Sequence, residues 1–145
     1  MKTKIVLIAL ITSLIVGCSD EIEVENEEAA AEVKQLLEHN IKSLDEEDLD
    51  GYLSTIVESA HEGTKSQTEQ HFRDYDIDYE LLSMIVVEEE ENKYVIEAQQ
   101  KAEAVSTPNG EEYRDHISLN RHTFEKVDGE WKITGSNVVD INFID

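Results

Sequence analysis

The sequence predicts an α+β domain in which three helices pack on a curved, four-stranded antiparallel sheet, giving a cone-like shape. Apolar residues recur at helical spacing up to about residue 75. From residue 77 onward the chain is rich in β-branched and aromatic residues with partial alternation of period two. Short turn signals divide this second part into four segments, which is the pattern of a meander.

The first helix is predicted from a single apolar stripe in "AAAEVKQLLEHNIKSL". The stripe consists of Val33, Leu36, Leu37, Ile41 and Leu44. Asn26 precedes it and is a candidate N-cap, because its side-chain oxygen can accept from a free amide of the first turn.

Two further helices follow in the pattern. The second is predicted from Leu49, Tyr52, Leu53, Ile56 and Val57. "SQTE", Ser66–Glu69, has the form of a capping box and predicts the start of a third helix, with Phe72 and Tyr75 facing inward.

The four predicted strands are separated by "EEEN", "TPNG" and "DG". Asp128 and Gly129 form the strongest hairpin signal, because both residues tolerate a positive φ. Pairing Ser106 with Glu111, and Glu88 with Lys93, assigns the faces of the sheet. The face predicted to carry the helices contains Tyr79, Leu81, Ser83, Ile85, Val87, Tyr94, Ile96, Ala98, Gln100, Ala102, Ala104, Tyr113, Asp115, Ile117, Leu119, Arg121 and Thr123.

The opposite face is predicted to expose an apolar patch on the two C-terminal strands. Its residues are Phe124, Trp131, Ile133, Val139 and Ile141. Such a patch is a candidate interface for a second subunit or an ordered tail. A single bulge would exchange the two faces of a strand.

The N-terminal residues predict an exported lipoprotein. Lys2 and Lys4 precede a short apolar run, Ile5–Val16, which as a helix spans about 18 Å against roughly 30 Å of bilayer hydrocarbon. A positive start, a short apolar middle and a small residue before a cleavage point are typical of a signal peptide. "IVGC" resembles the lipobox of bacterial lipoproteins, which implies cleavage after residue 17 and acylation of Cys18, for example with palmitate.

We therefore divide the chain into a signal peptide (1–17), a lipidated cysteine with an acidic, solvated tether (18–27) and a single domain (28–145). The lipid implies attachment to the extracytoplasmic face of a bacterial membrane. An ordinary signal peptide with an incidental cysteine is the alternative. The single cysteine of the chain excludes an internal disulfide.

The composition argues against nucleic acid as a partner. The chain has 34 acidic and 12 basic residues and a net charge of −22, so it repels phosphates. "DYDIDY" has the carboxylate spacing that opens a calcium loop, but Tyr79 and Ile85 occupy the positions that require glycine and glutamate. No metal site and no cofactor are predicted.

The helix order and the C-terminal "HTFEKVDGEWKITGSNV", with "DLDGYLSTI" and "YDIDYELLSMIVV", resemble the nuclear-transport-factor-2-like superfamily over about residues 28–143. The resemblance implies the cone fold, with a cavity between helices and sheet. Candidate cavity-lining residues are Tyr52, Tyr75, Tyr79, Gln100, Tyr113, Asp115 and Arg121. Their tyrosine rings could equally pack at the edge of the core, with the hydroxyls in water.

Members of this superfamily are enzymes, binding proteins or assembly domains, so the fold does not assign the function. Our first hypothesis is a non-catalytic domain that binds a small apolar or amphipathic ligand, or a protein partner. The alternatives are an isomerase or dehydratase, which needs a carboxylate or histidine deep in the cavity, and a structural homodimer module. No motif assigns a catalytic residue.

Overall fold

Three helices pack on one face of a four-stranded antiparallel sheet in the computed structural model, which describes residues 20–144. The helices are α1 (Glu27–Asp45), α2 (Leu49–Ser54) and α3 (His61–Asp74), and the strands are β1 (Asp76–Glu90), β2 (Lys93–Ser106), β3 (His116–Val127) and β4 (Glu130–Phe143). The strand order β1-β2-β3-β4 is that of a meander, so the predicted fold class is confirmed. The predicted signal peptide and Cys18 lie outside the described residues.

Helix α1 is the element that covers the sheet, and its predicted cap and stripe are confirmed. The Asn26 side chain accepts a hydrogen bond from the Ala29 amide at 3.1 Å. Val33, Leu37 and Ile41 are buried against the sheet. No helix within residues 20–144 is long and apolar enough to cross a membrane.

Helix α2 ends earlier than the apolar spacing predicts. After Ser54 the chain becomes extended and pairs with β4, because the Ile133 amide donates to Thr55 O at 2.8 Å and the Val57 amide donates to Ile133 O at 3.0 Å. This short parallel pairing places α2 beside the last strand and forms one wall of a cleft.

Helix α3 begins at His61, ahead of the predicted start, so the capping-box prediction at Ser66–Glu69 was wrong. A 3₁₀ turn, Glu58–Ala60, leads directly into the helix, and no side chain caps it. Because the 3₁₀ turn already starts the helix at His61, Ser66–Glu69 ("SQTE") lies inside the helix and does not cap it.

The predicted turns are confirmed. Asp128 and Gly129 have φ values of 51° and 83°, as a tight hairpin between twisted strands requires. Pro108 lies in the β2–β3 connection, where the Gly110 amide donates to Thr107 O at 2.9 Å.

The predicted β1–β2 register holds only in the first part of β1, from Ile77 to Leu81. In this part Leu81 pairs with Gln100, as predicted. Irregularities at residues 82 and 87 then displace the pairing, so that Val86 pairs with Ile96. Each extra residue turns the following side chains to the other face, and the predicted positions of Ser83 and Ile85 on the helix face were therefore wrong.

The β2–β3 register differs by one residue from the prediction, and this displacement has the largest consequence. Gln100 pairs with Ser118 and Ile96 pairs with His122. Since the side-chain period of a strand is two, a one-residue displacement exchanges the faces of β3 and of β4, which pairs with it. The helix face of β3 therefore carries the even-numbered residues.

Three residues of the predicted interface consequently lie in the core. Phe124, Trp131 and Ile133 are 0%, 8% and 5% exposed. They pack in a cluster that also contains Ala30, Val33, Leu37, Ile41, Val86, Tyr94, Ile96 and Ala98. Val139 and Ile141 are exposed. Of the five residues of the predicted interface, only these two are therefore available to a partner.

The residues before α1 lie against the domain. We call Asp20–Asn26 the strap. Ile22 and Val24 pack against the core, and the Ile22 amide donates to Val86 O at 3.0 Å. The tether was expected to be solvated, but in this part it is docked along β1, where the partial burial of Ile22 and Val24 stabilises it.

Candidate functional site

A cleft opens between α2, α3 and the helix face of the sheet. It consists of two adjoining depressions of about 250 and 310 Å³, which share Tyr52, Gln67 and Thr68. The first is also lined by Ile56, Ala60, Thr64, Ile133, Thr134, Gly135 and Ser136, and the second by Leu44, His71 and Tyr79. The volume is that of a site for a small molecule.

A histidine–tyrosine pair forms the wall of the second depression. His71, near the end of α3, shares a hydrogen bond of 2.7 Å between Nε2 and the Tyr79 hydroxyl. Burial lowers the pKa of His71, although the Asp74 and Glu47 carboxylates act in the opposite direction. Burial also raises the pKa of Tyr79 well above 10, so the pair is neutral at physiological pH.

A second histidine lies on the sheet behind the first depression. His122 is 6% exposed, and its Nδ1 is 2.8 Å from Ser136 Oγ. The Gln100 side-chain amide donates to His122 Nε2 at 2.9 Å. Because Nε2 accepts this bond, the ring proton is on Nδ1 and is donated to Ser136. Both ring nitrogens are therefore engaged.

Burial keeps this histidine uncharged by lowering the pKa of His122 to about 4. A proton on Nε2 would also face the amide donor of Gln100, and this arrangement disfavours the charged form. The wall of the cleft thus offers Ser136 and Tyr52 as hydrogen-bonding groups without adding a charge.

Aromatic rings continue from the cleft to the end of the sheet. The row runs in the order Tyr79, His71, Tyr75, Tyr113, His116 and Phe143, with successive ring centroids 5.2–6.3 Å apart. The guanidinium of Arg114 lies 3.8 Å from the centroid of the Phe143 ring. We call this series the aromatic row; it forms the end of the sheet beside the β2–β3 loop.

The cleft differs from the rest of the chain in charge. The residues that line its two depressions include no aspartate and no glutamate. In a chain of 34 acidic residues, this leaves a neutral, hydrogen-bonding pocket inside a strongly negative surface. Among residues 20–144, no group of three or more His, Asp or Glu side chains could hold a metal ion.

Other depressions are larger but less suited to a ligand. One of about 360 Å³ lies on the opposite face of the sheet and includes Lys93 and Arg121. Another, of about 450 Å³, is lined largely by glutamates of the strap and of the β1–β2 hairpin. Both have a predominantly polar lining, whereas the cleft combines mainly apolar walls with convergent polar groups.

The structure distributes the predicted cavity residues among several places. Tyr52 and Tyr79 line the cleft, and Gln100 lies behind it, bonded to His122. Tyr75 and Tyr113 contact each other in the aromatic row, with the rings tilted by 55° and the centroids 5.2 Å apart.

Two predicted residues lie elsewhere. Asp115 accepts a hydrogen bond from the Ala104 amide at 2.8 Å. This side-chain bond links β2 to the β2–β3 loop just beyond the last backbone pair of β2 and β3, Ala102 with His116. The prediction for Arg121 was wrong, since its Nε donates to the Glu97 carboxylate at 3.2 Å on the face opposite the helices. The one-residue displacement of β3 places His122 on the cleft side instead.

Sequence reasoning missed His71, His122, Ser136 and Thr68. A helix that begins at His61 would have shown that Thr68, His71 and Tyr75 share one face at helical spacing. His122 and Ser136 depend on the strand register, which the sequence does not determine at single-residue accuracy.

The architecture is that of the nuclear-transport-factor-2-like cone fold. An NTF2-like protein of unknown function from Pseudomonas putida KT2440 is similar, with 12% identity, a TM-score of 0.61 and coverage of 76% of this chain and 86% of that one. A protein of unknown function with a cystatin-like fold from Nostoc punctiforme has 13% identity and a TM-score of 0.60, covering 75% and 88%. The hexachlorocyclohexane dehydrochlorinase LinA-type3 from Novosphingobium barchaimii has 12% identity and a TM-score of 0.60, covering 80% and 90%. At these identities the likeness shows the fold alone.

The sequence family is narrower than the fold. Residues 35–144 match the family described as the C-terminal domain of the anti-sigma-I factor RsgI9, and the chain belongs to that family. No protein with a curated description is significantly similar to the chain in sequence.

Proposed function

We propose that the protein is a lipoprotein of the extracytoplasmic face of a bacterial membrane, anchored through Cys18, whose domain binds a small uncharged ligand without transforming it. The observation that carries the proposal is the neutral lining of the cleft within a chain of net charge −22. An anionic ligand would meet an unfavourable potential, and a cationic ligand would find no carboxylate in the lining to pair with. An amphipathic, uncharged molecule fits both facts.

The family also supports a binding role. It is named for the C-terminal domain of the anti-sigma-I factor RsgI9, and this name gives no enzymatic activity. A domain that binds a ligand outside the membrane would fit such a role, and the lipid on Cys18 would hold it there.

The arrangement of the histidines favours binding over catalysis. Both ring nitrogens of His122 are engaged by Gln100 and Ser136, so neither is available to take a proton from a substrate. An acid–base enzyme of this fold would need a free base beside the substrate.

An isomerase or dehydratase is the second candidate, and one observation favours it. His71 lies in the lining, and its lowered pKa leaves it as a neutral base beside the Tyr79 hydroxyl. The pair lacks the buried carboxylate of the best-known chemistry of this type. A structural homodimer is less favoured, because Phe124, Trp131 and Ile133 are in the core.

The binding part of the proposal is tested by native mass spectrometry of residues 19–145, purified without detergent. We expect an additional mass that leaves on denaturation. Thr64→Phe places a ring in the first depression and should reduce the ligand-bound fraction several-fold. Lys65→Phe, the exposed neighbour on α3, is the matched control and should leave it unchanged. A ligand-free mass for both the unaltered chain and the control would contradict tight binding.

The anchoring part is tested at the cysteine. Cys18→Ala should prevent acylation and move the protein from the membrane fraction to the soluble fraction, because the acyl chains supply about 0.8 kcal/mol of membrane affinity per buried CH₂. Incorporation of a labelled fatty acid and membrane fractionation are the measurements. Ser19→Ala should retain both label and location. Membrane retention of a processed, unacylated Cys18→Ala chain would overturn the anchor.

A further inference from the structure

A chain of hydrogen bonds leads from the sheet into the first depression of the cleft. His122 on β3 and Ser136 on β4 are paired directly across the two strands, so their side chains lie on the same face. The Gln100 amide, on β2, is 2.9 Å from His122 Nε2, and His122 Nδ1 is 2.8 Å from Ser136 Oγ. His122 is buried, whereas Ser136 is exposed and lines the depression. The chain therefore ends at the place where a ligand would lie.

The Gln100 amide fixes the direction of this chain. An amide nitrogen only donates, so Nε2 is the accepting nitrogen of the neutral His122 ring and Nδ1 carries the proton. That proton is donated to Ser136 Oγ. The hydroxyl proton of Ser136 cannot be donated to Nδ1, which already bears one, and it is left for a molecule bound in the depression.

The chain also strengthens Ser136 as a donor without placing a charge in the cleft. Each hydrogen bond of such a series polarises the next. The acceptor that suits this hydroxyl best is an oxygen with no proton of its own, as in a ketone, an ester or an amide. A hydroxyl group on the ligand suits it less well, because its own proton then needs a further acceptor.

The rest of the depression fits an apolar body attached to that oxygen. Ile56, Ala60 and Ile133 line it together with Ser136. Val138 follows Ser136 on the same face of β4, since the two residues pair with alternate residues of β3, and its side chain is 59% exposed. A hydrogen-bond donor thus adjoins an apolar surface that a ring or a short chain can cover.

We infer that the cleft binds uncharged molecules that carry a carbonyl group, whose oxygen accepts a hydrogen bond from the Ser136 hydroxyl while an apolar ring or chain lies in the first depression. The inference rests on the proposed function and names the chemical class of its ligand. Ser136 is the residue that touches the ligand. His122 and Gln100 are positioning residues, because they keep the Ser136 proton available to the ligand.

The test uses two probes of nearly the same shape, acetophenone and α-methylstyrene, in which a CH₂ group replaces the carbonyl oxygen. Their dissociation constants are measured on the purified protein by ¹H–¹⁵N chemical-shift titration. Ser136→Ala should lower the affinity for acetophenone relative to α-methylstyrene by about three- to tenfold, the range of one hydrogen bond between neutral groups. Asn137→Ala is the matched control, since Asn137 is exposed and pairs with Arg121 on the opposite face. It should leave the relative affinity unchanged.

Infrared spectroscopy of bound acetophenone provides a direct readout of the hydrogen bond. The carbonyl stretch should lie at a lower frequency in the unaltered protein than in Ser136→Ala, because donation to the oxygen weakens the C=O bond. Equal frequencies in the two proteins would overturn the contact with Ser136.

Gln100→Leu tests the positioning role. Without the amide donor, the His122 proton can move to Nε2, and Nδ1 can then accept the Ser136 proton. The preference for acetophenone should therefore fall several-fold although Ser136 is unchanged. The ¹⁵N chemical shifts of the His122 ring identify the tautomer, and we expect the proton on Nδ1 in the unaltered protein. A proton on Nε2 in that protein would overturn the positioning role.

The outcomes separate this inference from the proposed function. Binding of both probes in the cleft with the same relative affinity in the unaltered and Ser136→Ala proteins would overturn carbonyl recognition and leave a binding cleft intact. Failure of both probes to shift the amides of the cleft at millimolar concentration would overturn the cleft as a binding site, and with it the binding part of the proposed function.

Discussion

Replacing Trp131 with alanine is expected to lower the free energy of unfolding by about 3–5 kcal/mol, the range found for large aromatic residues in protein cores. The ring is 8% exposed and lies in the central cluster. It meets Tyr94 edge to face, with centroids 5.3 Å apart, and alanine would remove this contact and leave a cavity. Urea unfolding followed by circular dichroism measures the loss, which is a large part of the stability of a typical domain.

Two variants make the result specific. Trp131→Phe keeps most of the ring and should cost less than half as much. Val139→Ala removes an exposed apolar side chain from the same strand and should change stability by less than about 0.5 kcal/mol. A midpoint in Trp131→Ala equal to that of the unaltered chain would show that the ring is outside the core, as the uncorrected strand register predicts.

The second large effect is expected on acidification, through His122. The pKa of His122 is about 4 in the folded protein against 6.5 for an unperturbed histidine. The unfolded chain therefore binds a proton that the folded chain excludes between these two pH values. The contribution of neutral His122 to the free energy of unfolding is complete above pH 6.5. It is lost as the pH falls to about 4, and the total loss is about 3 kcal/mol.

The measurement is the free energy of urea unfolding at several pH values between 7 and 4, for the unaltered chain and for His122→Gln. Because other groups titrate as well, the difference between the two chains is the relevant quantity. This difference should shrink with falling pH. His116→Gln, at the outer end of the same strand, should not reproduce the effect. A constant difference between the unaltered and His122→Gln chains across this range would contradict a buried, neutral His122.

Much of the fold could be predicted because it depends on local chemistry. The α1 stripe, the Asn26 cap and the Asp128–Gly129 turn each follow from a few neighbouring residues. The start of α3 was wrong because the helix grows from a 3₁₀ turn, for which the sequence has no comparable signal. The number of strands and their order are set by turns, and both were predicted.

The site could be predicted only in part because it depends on register. A displacement of one residue between β2 and β3 exchanged Arg121 for His122 at the cleft. The same displacement moved Phe124, Trp131 and Ile133 from a supposed interface into the core. Tyr52 and Tyr79 were assigned to the cavity from helix spacing and from the β1–β2 pairing, which the structure preserves at that end of the sheet.

The docked strap also bears on proteolysis of the chain just before the first helix. A protease needs several residues of loose, extended chain at the site that it cuts. Here the Ile22 amide is bonded to Val86 O and the Glu25 and Asn26 amides are bonded to Glu89, so their backbone is not free to enter a protease active site. The strap from Ile22 to Asn26 is therefore expected to resist proteolysis for as long as the domain stays folded.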